Sequence, residues 1–136
     1  MASIPEAFHD LFERETYGHF ATVMPDGTPQ VTPVWIDYDA DADRVLVNTE
    51  RGRQKERNAS RNPKVGLSAV DPDDPYRFLS IRGEVTELTE EGAVEHIDAL
   101  AARYMDVEEY PGHGSEEGAR VQLRVRPESV VTSESA

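Results

Sequence analysis

No cysteine occurs in the chain, and that one absence removes disulfides, thiolate nucleophiles and thiolate metal ligands together. It fits a reducing cytoplasm. Long apolar runs are missing too: none approaches the roughly 18 residues of a membrane-spanning helix. The start MASIPEAFHD has neither the basic nor the apolar region of a secretory leader. The expectation is a soluble, cytoplasmic protein with no membrane partner. Positive charge is also scarce. Fourteen Lys and Arg stand against 27 Asp and Glu, a net charge of −13, and only two of the fourteen are lysines. Most of such a surface repels nucleic acid and anionic lipid. Its composition reads as halophilic, a carboxylate-solvated surface whose self-repulsion is screened within about 3 Å in 1 M salt.

The 136 residues are read as one domain, 1–136, small enough for a dimer interface to supply part of its burial. Ser3-Ile4-Pro5 starts a short helix to about Glu15, with Phe8, Leu11 and Phe12 on one face. FATVM and QVTPVWIDY are strands joined through Asp26-Gly27, a hairpin signal, and Pro33 places the second at an edge or bulge. RVLVNT is a third strand and RGRQKERNAS a short helix that Asn62-Pro63 stops. KVGLSAV is a fourth strand. RFLSIRGEVTEL is a long fifth, with Gly83 marking a bulge or a close backbone approach. Thr89 caps a helix to about Met105 whose stripe, Val94, Ile97, Ala101 and Tyr104, is core or dimer surface. ARVQLRVRPESVVT closes the chain as one strand and a short second. The class is mainly β, or α+β: a small antiparallel barrel with added helices.

Several chemistries fail on spacing. Asp39, Asp41, Asp43 and Glu50 match calcium-loop positions 1, 3, 5 and 12, but position 6 is Arg44 where glycine is needed, and the flanks are strands. His9, His19, His96 and His113 have no zinc spacing. No GxSxG elbow, Rossmann fingerprint or P-loop occurs. His113, in a Gly-rich loop, is an acid or base near a pocket or a plain surface histidine.

One stretch stands out. Arg51, Arg53, Lys55, Arg57, Arg61 and Lys64 crowd into a segment with a single acid, Glu56. On a helix Arg53, Arg57 and Arg61 recur at like-charge spacing, which costs about 0.2–0.5 kcal/mol per pair unless something offsets it. Pairing with the acidic surface is one answer. A phosphate site is the other: bidentate arginines, a point charge at Lys55, and a helix start after Asn48 and Thr49. Trp35, the only tryptophan, is either packed in the core or part of a wall against which a ring system with a phosphorylated tail would lie.

In order, FATVMPDGTPQVTPVWIDYD, VLVNTERGRQKERNASRNPKVGLS, RFLSIRGEVTEL, HIDALAARYM and RVQLRVRPESVV resemble the pyridoxamine 5'-phosphate oxidase-like split-barrel family. The run from Thr49 to Asn58 is the most specific part, and the closer likeness is to the branch that uses coenzyme F420, a deazaflavin. The resemblance covers about residues 8–131. It implies a homodimer of six-stranded split β-barrels with peripheral helices, of the FMN-binding type, and cofactor clefts at the subunit interface. It implies that Arg53, Lys55, Arg57 and Asn58 hold the cofactor's phosphate and acidic tail, that Asn48 and Thr49 support that end, and that Thr32, Pro33, Val34 and Trp35 line the ring system. Arg82 is a further candidate, or a salt-bridge partner. The protein would orient the cofactor and exclude water, and no catalytic side chain or metal is expected. Members bind FMN, a deazaflavin or occasionally haem. Arg51, Arg61 and Lys64 enlarge the positive patch toward the deazaflavin, and composition adds a haloarchaeal setting. The expected activity is hydride transfer to or from a small conjugated substrate. The alternatives are an FMN-dependent reductase or oxidase, a non-catalytic cofactor carrier, or a dimer whose basic helix docks an acidic partner.

Overall fold

The computed structural model describes residues 3–134. β1 (Tyr17–Val23) and β2 (Pro29–Trp35) form the expected hairpin. Its turn closes through Gly27, whose φ of 90° is in the left-handed region that favours glycine. β3 (Asp37–Asp39) and β4 (Arg44–Glu50) form a second hairpin, and β4 runs into α1 (Gln54–Arg61), which ends at Asn62. β5 (Lys64–Asp71) and β6 (Asp74–Thr89) make a third hairpin. α2 (Ala93–Met105) and a loop with a short 3-10 turn (His113–Ser115) lead to β7 (Arg120–Thr132). Among the described residues no helix is long and apolar enough to cross a membrane.

All pairings are antiparallel, in the order β2-β1-β5-β6-β7-β4-β3. The sheet curls without closing, so this is a split barrel of the expected class. Alternation along each strand sends one set of side chains inward, and Phe20, Val47, Leu79, Ile81, Leu123 and Val125 form the core with Phe8, Leu11 and Phe12. Pro33 lies on the edge strand β2, where a missing ladder donor is tolerated. Gly83 sits at a register shift between β6 and β7, and a Cβ there would lie 2.4 Å from the Arg126 carbonyl oxygen. This is the close approach expected of it.

Four local expectations need correction. The sheet has seven strands because QVTPVWIDY breaks at Ile36, whose N–H donates to Tyr104 Oη at 3.1 Å and whose carbonyl accepts from Arg103 at 3.0 Å, both on α2. The first helix is a 3-10 segment, Glu6–Phe12, without a side-chain cap, and Ser3 Oγ donates instead to Asp43. α2 begins at Ala93 because Gly92, with a φ of 76°, is left-handed and Thr89 closes a local turn onto the Glu91 N–H. Its buried face is Ala93, Ile97, Leu100, Ala101 and Tyr104, while Val94 points outward at 46% exposure. The chain end forms a single strand, β7.

Candidate functional site

Three elements meet beyond the end of β2. α2 presents Ile97, Leu100 and Tyr104 as a second, smaller apolar cluster, against which Trp35 and Tyr110 pack. The Trp35 ring stacks on Tyr104 with centroids 5.0 Å apart and planes 14° from parallel, and Tyr110 meets it edge-on at 6.2 Å. Tyr104 is fixed in turn, since its hydroxyl donates to the Thr16 carbonyl and accepts from Ile36. Burial raises the Tyr104 pKa above that of an ordinary phenol.

Between this aromatic corner and the start of α1 lies an open cleft of about 610 Å³. Tyr17, Pro33, Val34, Trp35 and Tyr110 line its apolar end, and Asn48, Thr49, Arg53, Lys55 and Arg120 the other. Register explains the second group. Asn48 and Thr49 precede Glu50, the last residue of β4, which lies opposite Arg120 on β7, and the Arg51 N–H donates to the Ala119 carbonyl at 2.8 Å. The first turn of α1 and the start of β7 are thereby held side by side.

The cations at that end differ in how they are satisfied. Arg120 is buried; its Nε donates to Asn48 Oδ1 at 3.0 Å, its Nη1 pairs with Glu116, and its guanidinium lies 5.1 Å from the Tyr110 ring centroid. Arg53 is exposed, with Glu50 at 3.8 Å. Lys55 has no carboxylate partner among the described residues. Its pKa is lowered, first by burial and then by the positive charges of Arg53 and Arg120.

Seven of the ten anticipated residues therefore share the cleft: Pro33, Val34, Trp35, Asn48, Thr49, Arg53 and Lys55. The other three lie outside it. Thr32 is opposite Phe20 on β1, with its Oγ1 buried and unpartnered among the described residues. Arg57 turns back to donate to the Gly52 carbonyl at 2.6 Å and to Gln54. Asn58, fully buried, donates to Thr22 Oγ1 at 3.0 Å and anchors α1 to β1. Arg51 pairs with Glu56 and Glu90, Arg61 donates to the Val23 carbonyl and to Asn58, and Arg82 donates to Ser129. The basic stretch thus divides, part of it bracing its own turn and part facing the cleft.

Arg120 and Tyr110 escaped sequence reasoning because each is far along the chain from the basic run. The available signal was an arginine opening the last strand, next to a Gly-rich loop. His113 does not line the cleft; it contacts Asp98 Oδ1 through Nε2 at 2.7 Å and flanks Tyr110, so it fastens the loop that carries the aromatic wall. Asp39 and Asp43 of the acidic hairpin bind Arg124 and the Tyr38 hydroxyl. Among the described residues no group of three or more His, Asp or Glu is arranged for a metal.

Residues 4–133 match the family described as Pyridoxamine 5'-phosphate oxidase, and the chain belongs to that family. Among solved structures, an F420 reductase is 38% identical with a TM-score of 0.80, over 94% of this chain and 98% of that one. The conserved hypothetical protein Rv2991 from Mycobacterium tuberculosis is 22% identical with a TM-score of 0.73, over 97% and 85%. General Stress Protein 26 from Bacillus anthracis is 14% identical with a TM-score of 0.70, over 96% and 94%. The last two likenesses concern the fold alone.

Proposed function

We propose that the protein is an oxidoreductase that binds a deazaflavin, coenzyme F420, in this cleft and moves a hydride to or from a small, flat, conjugated substrate. The observation that carries the reading is Lys55: in a chain of net charge −13, a half-buried ammonium lines the cleft together with Arg53 and Arg120 and has no carboxylate partner among the described residues. Desolvating a cation beside like charges is unfavourable unless an anion completes the site. The other end fits a ring system, since Trp35 is locked by Tyr104 and the wall of Pro33, Val34 and Tyr110 is uncharged.

When bound, the coenzyme would supply the hydride chemistry. The protein's part is positional. Arg53, Lys55 and Arg120 hold the charged end, Asn48 and Thr49 close the floor beneath it, and the aromatic corner sets the ring plane and excludes water. The 38% identity to an F420 reductase favours the deazaflavin over FMN, which has the same need for an anion site. The size of the basic patch does not add to that preference, because Arg51 and Arg61 are spent internally.

A homodimer completes the reading. Pro33, His19, Ser68, Ser80 and Val131 are successive cross-strand partners over β2, β1, β5, β6 and β7, a row without a carboxylate or a lysine or arginine. Tyr17, Val31, Val70 and Val131 are each at least 40% exposed. Pro33 and Tyr17 also line the cleft, so a second copy on this face would cover its open side. Titrating the purified protein with F420 and with FMN, followed by turnover assays with reduced coenzyme, tests the proposal.

A further inference from the structure

Behind the cationic end runs a chain of hydrogen bonds whose polarity can be deduced atom by atom. The Ala93 carbonyl can only accept, and it lies 2.8 Å from one terminal atom of the Asn48 amide; the Arg120 Nε–H can only donate, and it lies 3.0 Å from the other. The amide is therefore oriented with its NH2 toward Ala93 and its oxygen toward Arg120. That same NH2 lies 3.1 Å from His96 Nδ1, which must be a bare acceptor. The ring proton is then on Nε2, 3.1 Å from Asp37 Oδ2. Asp37 is also held by Arg103 at 3.2 Å. Its burial would raise its pKa, but the His96 hydrogen bond and the Arg103 charge outweigh that and keep it below the usual carboxylate range.

We propose that His96 is a positioning residue for the anion end of the cleft: in its neutral, Nε2–H form it fixes the Asn48 amide, and through it the Arg120 guanidinium. The inference rests on reading that end as the seat of the coenzyme's phosphate. His96 does not line the cleft, and its side chain is 8% exposed, so its influence passes through Asn48. A second proton on the ring would set an Nδ1–H against the Asn48 NH2. Turning the amide over would relieve that clash but would break the Ala93 bond and set an NH2 against Arg120. The charged groups around the ring are Asp37, itself shared with Arg103, and, beyond Asn48, Arg120 with its partner Glu116. An imidazolium at His96 would therefore loosen the arginine proposed to hold the coenzyme's phosphate.

Two measurements test this. Long-range 1H–15N correlation spectra of the unliganded full chain read the tautomer directly. The Nε2–H form near pH 8, with the Asn48 NH2 and Arg120 Nε–H signals shifting together with His96 on acidification, is expected. An Nδ1–H tautomer, or Asn48 and Arg120 signals that ignore His96, would overturn the proposal whether or not any coenzyme binds. F420 and FMN affinities, followed by Trp35 fluorescence in the unmodified protein and in His96→Gln, supply the second readout. Gln can accept from Asn48 and donate to Asp37 without titrating. Affinity in the unmodified protein should fall about tenfold between about pH 8 and pH 5, with the fall largely absent in His96→Gln. Equal slopes in the two proteins would contradict the assignment, while failure of both coenzymes to bind at any pH would instead refute the proposed cofactor.

Discussion

Lys55 shares the cationic end of the cleft with Arg120, though 65 positions separate them in the chain. Burial lowers the pKa of the Lys55 amine first, and the positive charges of Arg53 and Arg120 lower it further. The proposed anion site is built on these cations, and the first prediction follows from it. Replacing Arg53 and Lys55 together by alanine should weaken coenzyme binding by about 3 kcal/mol, since hydrogen bonds to charged groups contribute about 1.5–3 kcal/mol each. Far-UV circular dichroism and thermal unfolding should change little, because neither side chain is in the core.

Tyr104 braces Trp35, so the aromatic wall should depend on a hydroxyl outside the cleft. Tyr104→Phe leaves the Ile36 N–H without its acceptor and should cost about 1–3 kcal/mol in urea-induced unfolding. Trp35 emission, the only tryptophan signal in the chain, should shift as its stacking partner loosens.

Most of the architecture was legible in the sequence because it is written in local terms. Asp26-Gly27 makes its turn, Pro33 occupies an edge, Asn62-Pro63 ends α1 and Gly83 permits the bulge, each for a reason contained within a few residues. What escaped depends on partners distant in sequence. Nothing in QVTPVWIDY shows that Tyr104 and Arg103 will capture the Ile36 backbone, and nothing near Arg120 shows that it will face Lys55. Charge density singled out the basic stretch, but it could not separate Lys55, which faces the cleft, from Arg51, Arg57 and Arg61, whose hydrogen bonds are spent on their own turn and its neighbours.

Acid stability should carry the mark of the cluster that ties the first helical segment to the β5–β6 turn. Asp71 is pushed down to about 2, chiefly by the Asp73 N–H and then by Arg77, and Asp10 is lowered by the same arginine. A depressed carboxyl contributes stability that is fully present above its unfolded value and is lost as pH falls through the folded one. Unfolding free energy should therefore begin to drop near the unfolded value of 3.8 and continue to fall toward about pH 2. In Arg77→Gln that drop should shrink, as urea titrations at stepped pH would register.

The uncharged row across the sheet predicts a dimer. Val31→Asp, on the exposed edge strand, should give a monomer in analytical ultracentrifugation, with weakened coenzyme binding, because the proposed second copy would cover the open side of the cleft. A monomeric unmodified protein that binds coenzyme fully would contradict the interface.

The acidic composition predicts that stability rises from low salt to molar potassium chloride, as screening shortens the Debye length to about 3 Å. Midpoints of thermal unfolding across that range check it.

The most direct measurement is a side-by-side titration of the unmodified protein and the Arg53→Ala, Lys55→Ala double variant with F420 and with FMN, in dilute and in molar salt. Saturable F420 binding that is tighter than FMN binding, and that the double variant loses while remaining folded, is the predicted result. An unchanged dissociation constant in the double variant would contradict the assigned cleft, and tighter binding of FMN would contradict the assigned coenzyme.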